Sequence, residues 1–201
     1  MAIKFQYNKT ALQQLEKQLK VRVRALPTLK NKESALRLEV KKAKDEMNKL
    51  NNLFIDKIKQ YEPISNLWNE FDSELLKVKD VNLGIKKIAG VKTPVLENIV
   101  FEEKQFNIFS KPKWYIDGLN ILKEVVTLAI EREVFHRKME LLEYSRRKTT
   151  QKVNLFEKVQ IPGFEEAIRK IKRFLEDEDN LSKSAQKIVK NRQQQQTEAG
   201  V

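Results

Sequence analysis

Few side chains in this sequence are equipped for reaction chemistry. The single histidine, His136, sits in a charged stretch with Glu131, Arg132, Glu133, Arg137 and Lys138. No other ligand type clusters with it, so the pattern predicts a solvated or interfacial imidazole, not a general base or a metal ligand. There is no cysteine, which excludes disulfides, thiolate metal sites and a cysteine nucleophile. The run from Gly84 to Lys92 lacks the spacing of a phosphate-cradling loop. The acidic run Glu176 to Asp179 lacks the alternation of a calcium loop and reads as a solvated helix face. Asn8-Lys9-Thr10 and Asn180-Leu181-Ser182 have the form of glycosylation sequons. With no secretory signal in the sequence they read as chance matches. No catalytic residue, cofactor or metal site is expected.

Without a reaction to position, the elements themselves become the subject. The chain has 201 residues, 40 Lys plus Arg against 28 Asp plus Glu, and a net charge of +12. Glycine and proline number only five each, and so few breakers favour long helices. Six of the ten lie between Pro63 and Gly118, leaving residues 28–62 and 119–161 free of both. The expected fold is all-α dominated: a long antiparallel two-helix coiled coil, an αα-hairpin, with a small insert at its far end.

The first helix carries a heptad pattern. With position a at Leu12, Leu19, Leu26, Glu33, Val40, Met47, Phe54 and Tyr61, position d falls on Leu15, Arg22, Leu29, Leu36, Ala43, Leu50 and Lys57. Twelve of these fifteen are apolar, about twice what the composition predicts. A seven-residue repeat sustained this long indicates a left-handed coiled coil. Pro27 removes one hydrogen bond and crowds the preceding turn, predicting a kink or a break near residues 23–27. Arg22 and Glu33 on the seam either pair with the opposite strand or mark where the seam opens, an exposed end being the favoured reading for Arg22.

The second arm is apolar from Ile116 through Leu142, polar and basic over Arg146 to Thr150, then periodic again at Val153, Phe156, Phe164, Ile168, Ile171 and Leu175. Pro162-Gly163 should bend or restart it. The polar end, with Gln193 to Gln196, reads as a disordered tail. Between the arms, Ile64 to Val78 suggests a short helix bearing Trp68, Phe71, Leu75 and Leu76. Asp80 to Phe101, rich in β-branched residues and punctuated by Gly84, Gly90 and Pro94, suggests a short β-hairpin. Lys104 to Lys113 is the expected loop into the second arm. The boundaries are therefore residues 1–62 for the first long helix, 63–115 for the insert, 116–190 for the second long helix and 191–201 for the tail.

Charge follows this division. Residues 1–60 hold 15 basic and six acidic side chains, residues 61–115 eight of each, and residues 116–201 17 and 14. A basic face of this size can attract nucleic acid. However, the basic residues alternate with acids along helix faces, and no zinc finger, RNA-binding signature or basic zipper fork is present. No apolar run approaches the ~18 residues of a membrane span, and the basic segments lack an aromatic insertion face. Neither nucleic-acid binding nor direct membrane insertion is expected.

Three blocks resemble a known family. Asn8 to Leu12, Leu15, Leu19, Leu29 to Lys32 and Leu36 form the first, and Val91-Lys92-Thr93-Pro94 the second. The third runs from Arg146 through Val153-Asn154 to Ile161-Pro162, then Glu165 to Ile168, Ile171 and Leu175-Glu176. Their order and spacing resemble the D subunit of the V-type (vacuolar and archaeal or bacterial A-type) rotary ATPases over nearly the whole chain. Lys9 and Ala11 stand where that family usually has Pro and Arg, and Leu26-Pro27 near where it often carries Gly.

The resemblance implies a non-catalytic central-stalk rotor that transmits torque between the catalytic hexamer and the membrane ring. That couples ATP hydrolysis or synthesis to proton or sodium transport. Its implied partners are the catalytic A and B subunits, the small F subunit and the socket subunit (C/d type) on the ring. Its implied location is cytoplasmic, peripheral to the membrane within a membrane-bound complex. The tip facing the hexamer is expected at Arg22, Arg24, Lys30, Arg169, Lys170 and Arg173. Trp68, Phe71, Trp114 and Tyr115 are expected either to anchor partners at the insert end or to pack the insert on its own helices. The seam is expected at Leu12, Leu15, Leu19, Leu36, Val40, Met47, Leu50, Phe54, Val153, Phe156, Phe164, Ile168, Ile171 and Leu175. The competing reading is a free-standing coiled-coil adaptor or a basic nucleic-acid-binding protein. A parallel homodimer would mark it.

Overall fold

A computed structural model describes residues 4–72, 74–107 and 111–199, with backbone alone for 196–199. Helix α1 spans Lys9–Tyr61 and is followed by a 3-10 helix, Glu62–Glu70. Strands β1, Leu76–Ile88, and β2, Val91–Glu103, form an antiparallel two-stranded sheet. Helix α2 is Tyr115–Leu155, a π-helical turn covers Phe156–Gln160, and helix α3 is Ile161–Ala199. This is the mainly helical hairpin with a β-hairpin insert that the breaker pattern predicts.

The chain divides into two compact units. In the first, Met1–Asn31 packs with Thr150–Val201. Asn8 starts α1 as its cap, its side-chain oxygen accepting from the Ala11 N–H at 2.6 Å, which satisfies one of the helix's free donors. The core is Leu15, Phe164, Ala167, Ile168 and Ile171, flanked by Leu12, Leu19 and Leu175. Lys172 pairs with Glu16 at 2.9 Å, Arg22 bonds Gln160 and Lys30 pairs with Glu157. Rising numbers on α1 meet falling numbers opposite, so the segments run antiparallel.

The second unit is Lys32–Thr149. Leu36, Ala43 and Leu142 are its helical core, with Val40 and Met139 against them. Asn51 faces Arg132, and Lys57 pairs with Glu124 at 2.8 Å, again antiparallel. The tip of the β-hairpin packs on the same core through Ile88, Ala89 and Val91. The two-residue turn has Ala89 at φ 49° and Gly90 at φ 80°, the pair of positive values that a tight hairpin requires. Alanine is unusual there. Its methyl group against the Leu36 cluster accounts for it.

Several expectations are corrected. Of the kink or break expected at Pro27 it is the break that is corrected: helix α1 is continuous there, with Pro27 solvent-exposed. At Pro162 the chain inserts the π turn, with the Ile161 N–H donating to the Phe156 carbonyl. The wider turn gives the proline ring room one turn back. The helix expected over Ile64–Val78 is the shorter 3-10 helix, since Leu76–Val78 pair with Phe101–Glu103 and lengthen the hairpin. Bulges near Lys79 and Glu97 absorb the polar residues that hide this pairing in the sequence. Helix α3 runs through the polar end to Ala199, where a disordered tail was expected. Glutamine is a good helix former and the next breaker is Gly200. Residues 200–201 of that tail and 108–110 of the expected loop lie outside the described residues.

Candidate functional site

Among the described residues, no group of three His, Cys, Asp or Glu side chains is placed to hold a metal. His136 is half-buried beside Met47, Asn51 and Arg132. Glu176 to Asp179 are exposed. Two surfaces remain: the helical seam and the aromatic insert.

All fourteen predicted seam residues are buried or half-buried. Leu36, Leu142 and Ile171 have 0 % exposure. Leu142 and Thr149 stand one heptad apart, and Thr149 fills a seam slot missed in the sequence because it sits within the basic patch. Thr149 is buried and satisfies its hydroxyl by donating to the Ser145 carbonyl at 2.8 Å. Beside it, Glu143 accepts two bonds from Arg146, at 2.7 and 2.8 Å, and one from Arg147 at 3.0 Å. The Arg146 bonds, aided by Arg147, hold its carboxyl down at about 2.

Of the six predicted tip residues, Arg24, Arg169 and Arg173 are exposed and make no ion pair among the described residues. Lys30 is paired with Glu157 at 2.7 Å and Lys170 with Glu166 at 2.8 Å. Arg22 is not a loose end. Its Nε donates to the Gln160 side chain at 2.7 Å, its Nη1 donates to the Gln18 carbonyl at 3.1 Å, and its guanidinium lies over Phe164. Gln160 and Glu157, the partners that sequence reasoning missed, lie on the π turn, whose altered spacing no heptad assignment anticipates.

The four predicted anchors form one aromatic cluster. Trp68 meets Phe71 and Trp114 at ring separations of 5.3 and 5.7 Å, and Tyr115 meets Phe71 at 5.2 Å. Tyr115 is 2 % exposed and its hydroxyl donates to the Glu70 carbonyl. Leu75, Leu76 and Leu119 complete this core, with Phe101 and Phe106 against it. Gly118 is required there, since a Cβ would lie 2.9 Å from the Trp114 ring. Of the two roles left open for the quartet, packing of the insert on its own helix is what Phe71 and Tyr115 do. Trp68 is half-buried and borders an open apolar groove with Ile58, Ile121 and Val125.

A sequence model of the family described as the ATP synthase D subunit matches residues 11–191. Among curated proteins, the V-type ATP synthase D subunit of Borreliella burgdorferi is 33 % identical over 193 residues, covering 94 % of each chain. That of Chlamydia felis is 30 % identical over 178 residues, covering 86 % of each. That of Chlamydia trachomatis (serovar L2) is 29 % identical, covering 86 % of this chain and 88 % of the relative.

Proposed function

The chain belongs to the family of ATP synthase D subunits, and we propose that it is the central shaft of a V-type rotary ATPase. In this role it transmits torque between a hexamer of catalytic A and B subunits and the membrane ring, coupling ATP hydrolysis or synthesis to proton or sodium transport. The observation that carries the proposal is antiparallel packing made within one chain in each unit, around Leu15 and Ile171 in the first and Leu36 and Leu142 in the second. Torque requires torsional stiffness, and interlocked apolar side chains supply it. A parallel homodimer, the arrangement of the competing adaptor reading, would need the same seam for a second chain.

The shaft does no chemistry in this reading. Arg22, Arg24, Lys30, Arg169, Lys170 and Arg173 form the tip that turns within the hexamer, Arg22 held against Gln160 and Phe164 and the other five exposed. Exposed charges contribute little net affinity, as a sliding surface requires. Trp68, at the edge of the aromatic core, is the best placed of the four aromatics to anchor the small F subunit or the ring's socket subunit. The chain works in the cytoplasm, peripheral to the membrane. Among the described residues, no helix is long and apolar enough to cross one.

The test is co-expression of the tagged chain with the neighbouring genes. Catalytic and small F-like subunits are expected to co-purify, and ATP hydrolysis by the assembly is expected to depend on the chain. Purification as a lone parallel dimer that binds nucleic acid would overturn the proposal.

A further inference from the structure

One face of the β-hairpin has an unusual combination of groups. The in-register pairs Leu83–Leu96, Ile85–Pro94 and Lys87–Lys92 share this face. The other face carries Thr93, buried with its hydroxyl donating to the Lys86 carbonyl at 2.9 Å, and Val91, packed on the helical core. On the first face Ile85 is 73 % exposed and Leu83 51 %. With Pro94, Gly84, Lys92 and Thr93 they line the hairpin side of an open groove of about 560 Å³, whose α2 side is Glu133, Val134, Arg137 and Leu141.

Lys87 and Lys92 stand directly opposite each other, next to Ile85. Like charges in directly paired positions destabilise a hairpin. Among the described residues neither lysine forms an ion pair. On the groove's α2 side Arg137 is paired with Glu140 at 3.0 Å, and Glu133 makes no ion pair with either lysine. The whole of β1 is basic, with Lys77, Lys79, Lys86 and Lys87 against Asp80 alone. The isolated chain thus carries two costs on one patch: apolar area left in water and unrelieved cationic repulsion. A single occupant removes both, if it places an apolar side chain in the groove and carboxylates over the lysines.

We infer that this face is a docking surface for an acidic, apolar-bearing segment of a partner protein. Ile85 and Leu83 supply the apolar contact, and Lys87 and Lys92 select for negative charge. The inference rests on this patch alone and stands whether or not the chain is a rotor shaft.

The experiment uses the full chain and two short fluorescent peptides with the same leucines, one carrying glutamates and the other lysines, followed by anisotropy. Wild type is expected to bind the acidic peptide at least about tenfold more tightly than the basic one, less so at high salt. The double variant Lys87→Glu/Lys92→Glu is expected to reverse that preference, and Ile85→Asp to weaken acidic-peptide binding about tenfold. Circular dichroism melting checks that these exposed substitutions leave the fold intact. Equal binding of the two peptides overturns the inference. So does acidic-peptide binding that survives both variants, or binding of neither peptide alongside binding to phosphatidylserine vesicles.

Discussion

The guanidinium of Arg22 lies 4.5 Å from the centroid of the Phe164 ring, a charged side chain stacked where the heptad pattern requires an apolar one. Its Nε–H reaches the Gln160 side chain, so the group gains a hydrogen bond and a cation–π contact without losing its charge. Arg22→Ala is expected to lower stability by about 1–2 kcal/mol. Arg22→Lys should recover only part of this, because an ammonium does not stack as a flat guanidinium does. Urea unfolding at neutral pH measures both.

Side-chain position along α3 sets a second expectation. Ile171 is fully buried in the first unit's core, whereas Leu181 is 72 % exposed. Ile171→Ala should cost about 2–5 kcal/mol through lost contacts and a residual cavity. Leu181→Ala should stay within about 0.5 kcal/mol. Equal losses at the two positions would mean that Leu181 is covered by something the isolated chain already contains.

The Glu143 carboxyl gives a pH dependence of defined sign. Its value in the fold, about 2, lies below the ordinary 4.5, chiefly through the Arg146 bonds. Its stabilising contribution is therefore complete above about pH 4.5 and is lost as pH falls through about 2. Glu143→Gln should be less stable than wild type at pH 7, and the gap should close on acidification. Urea midpoints of both proteins across that range test it. A gap independent of pH would place the role of Glu143 in packing instead.

Proline inside a helix leads to a fourth expectation. Pro27 is exposed within α1 and leaves the helix one hydrogen bond short. Pro27→Ala should raise stability by about 1–3 kcal/mol, measured as a higher urea midpoint. Pro162→Ala should gain less, because the π turn ahead of it already accommodates the ring. A loss of stability at Pro27→Ala would show that the seam depends on the local geometry proline imposes.

The seam was legible because periodicity alone marks it. Leu15, Leu36 and Ala43 fall on heptad positions and are buried. What a single helix cannot disclose is the residue opposite. Arg22 read as an exposed end because Gln160 and Phe164 lie far away in sequence. The hairpin was legible in place but not in length, since Lys77, Lys79 and Asp80 disguise an exposed strand face and Leu75-Leu76 suits helix and strand equally. The aromatic quartet was legible as a cluster, yet its two roles separated only once Tyr115 was seen buried with its hydroxyl on Glu70. The Lys87–Lys92 pair was invisible until register put the two residues opposite each other.

The turn at Ala89-Gly90 also bears on how the molecule reaches its fold. Pairing Leu36 with Leu142, or Leu15 with Ile171, from an open coil means closing a loop that encloses much of the chain, with an entropy cost that grows with loop length. Once Ile88 meets Val91, each later pair closes only a little more chain. Assembly from the hairpin outward is the least costly order, and the contacts beside the two termini come last. The same ordering read backwards makes the neighbourhood of Leu12 and Leu175 the first to fray and the β-hairpin the last to open.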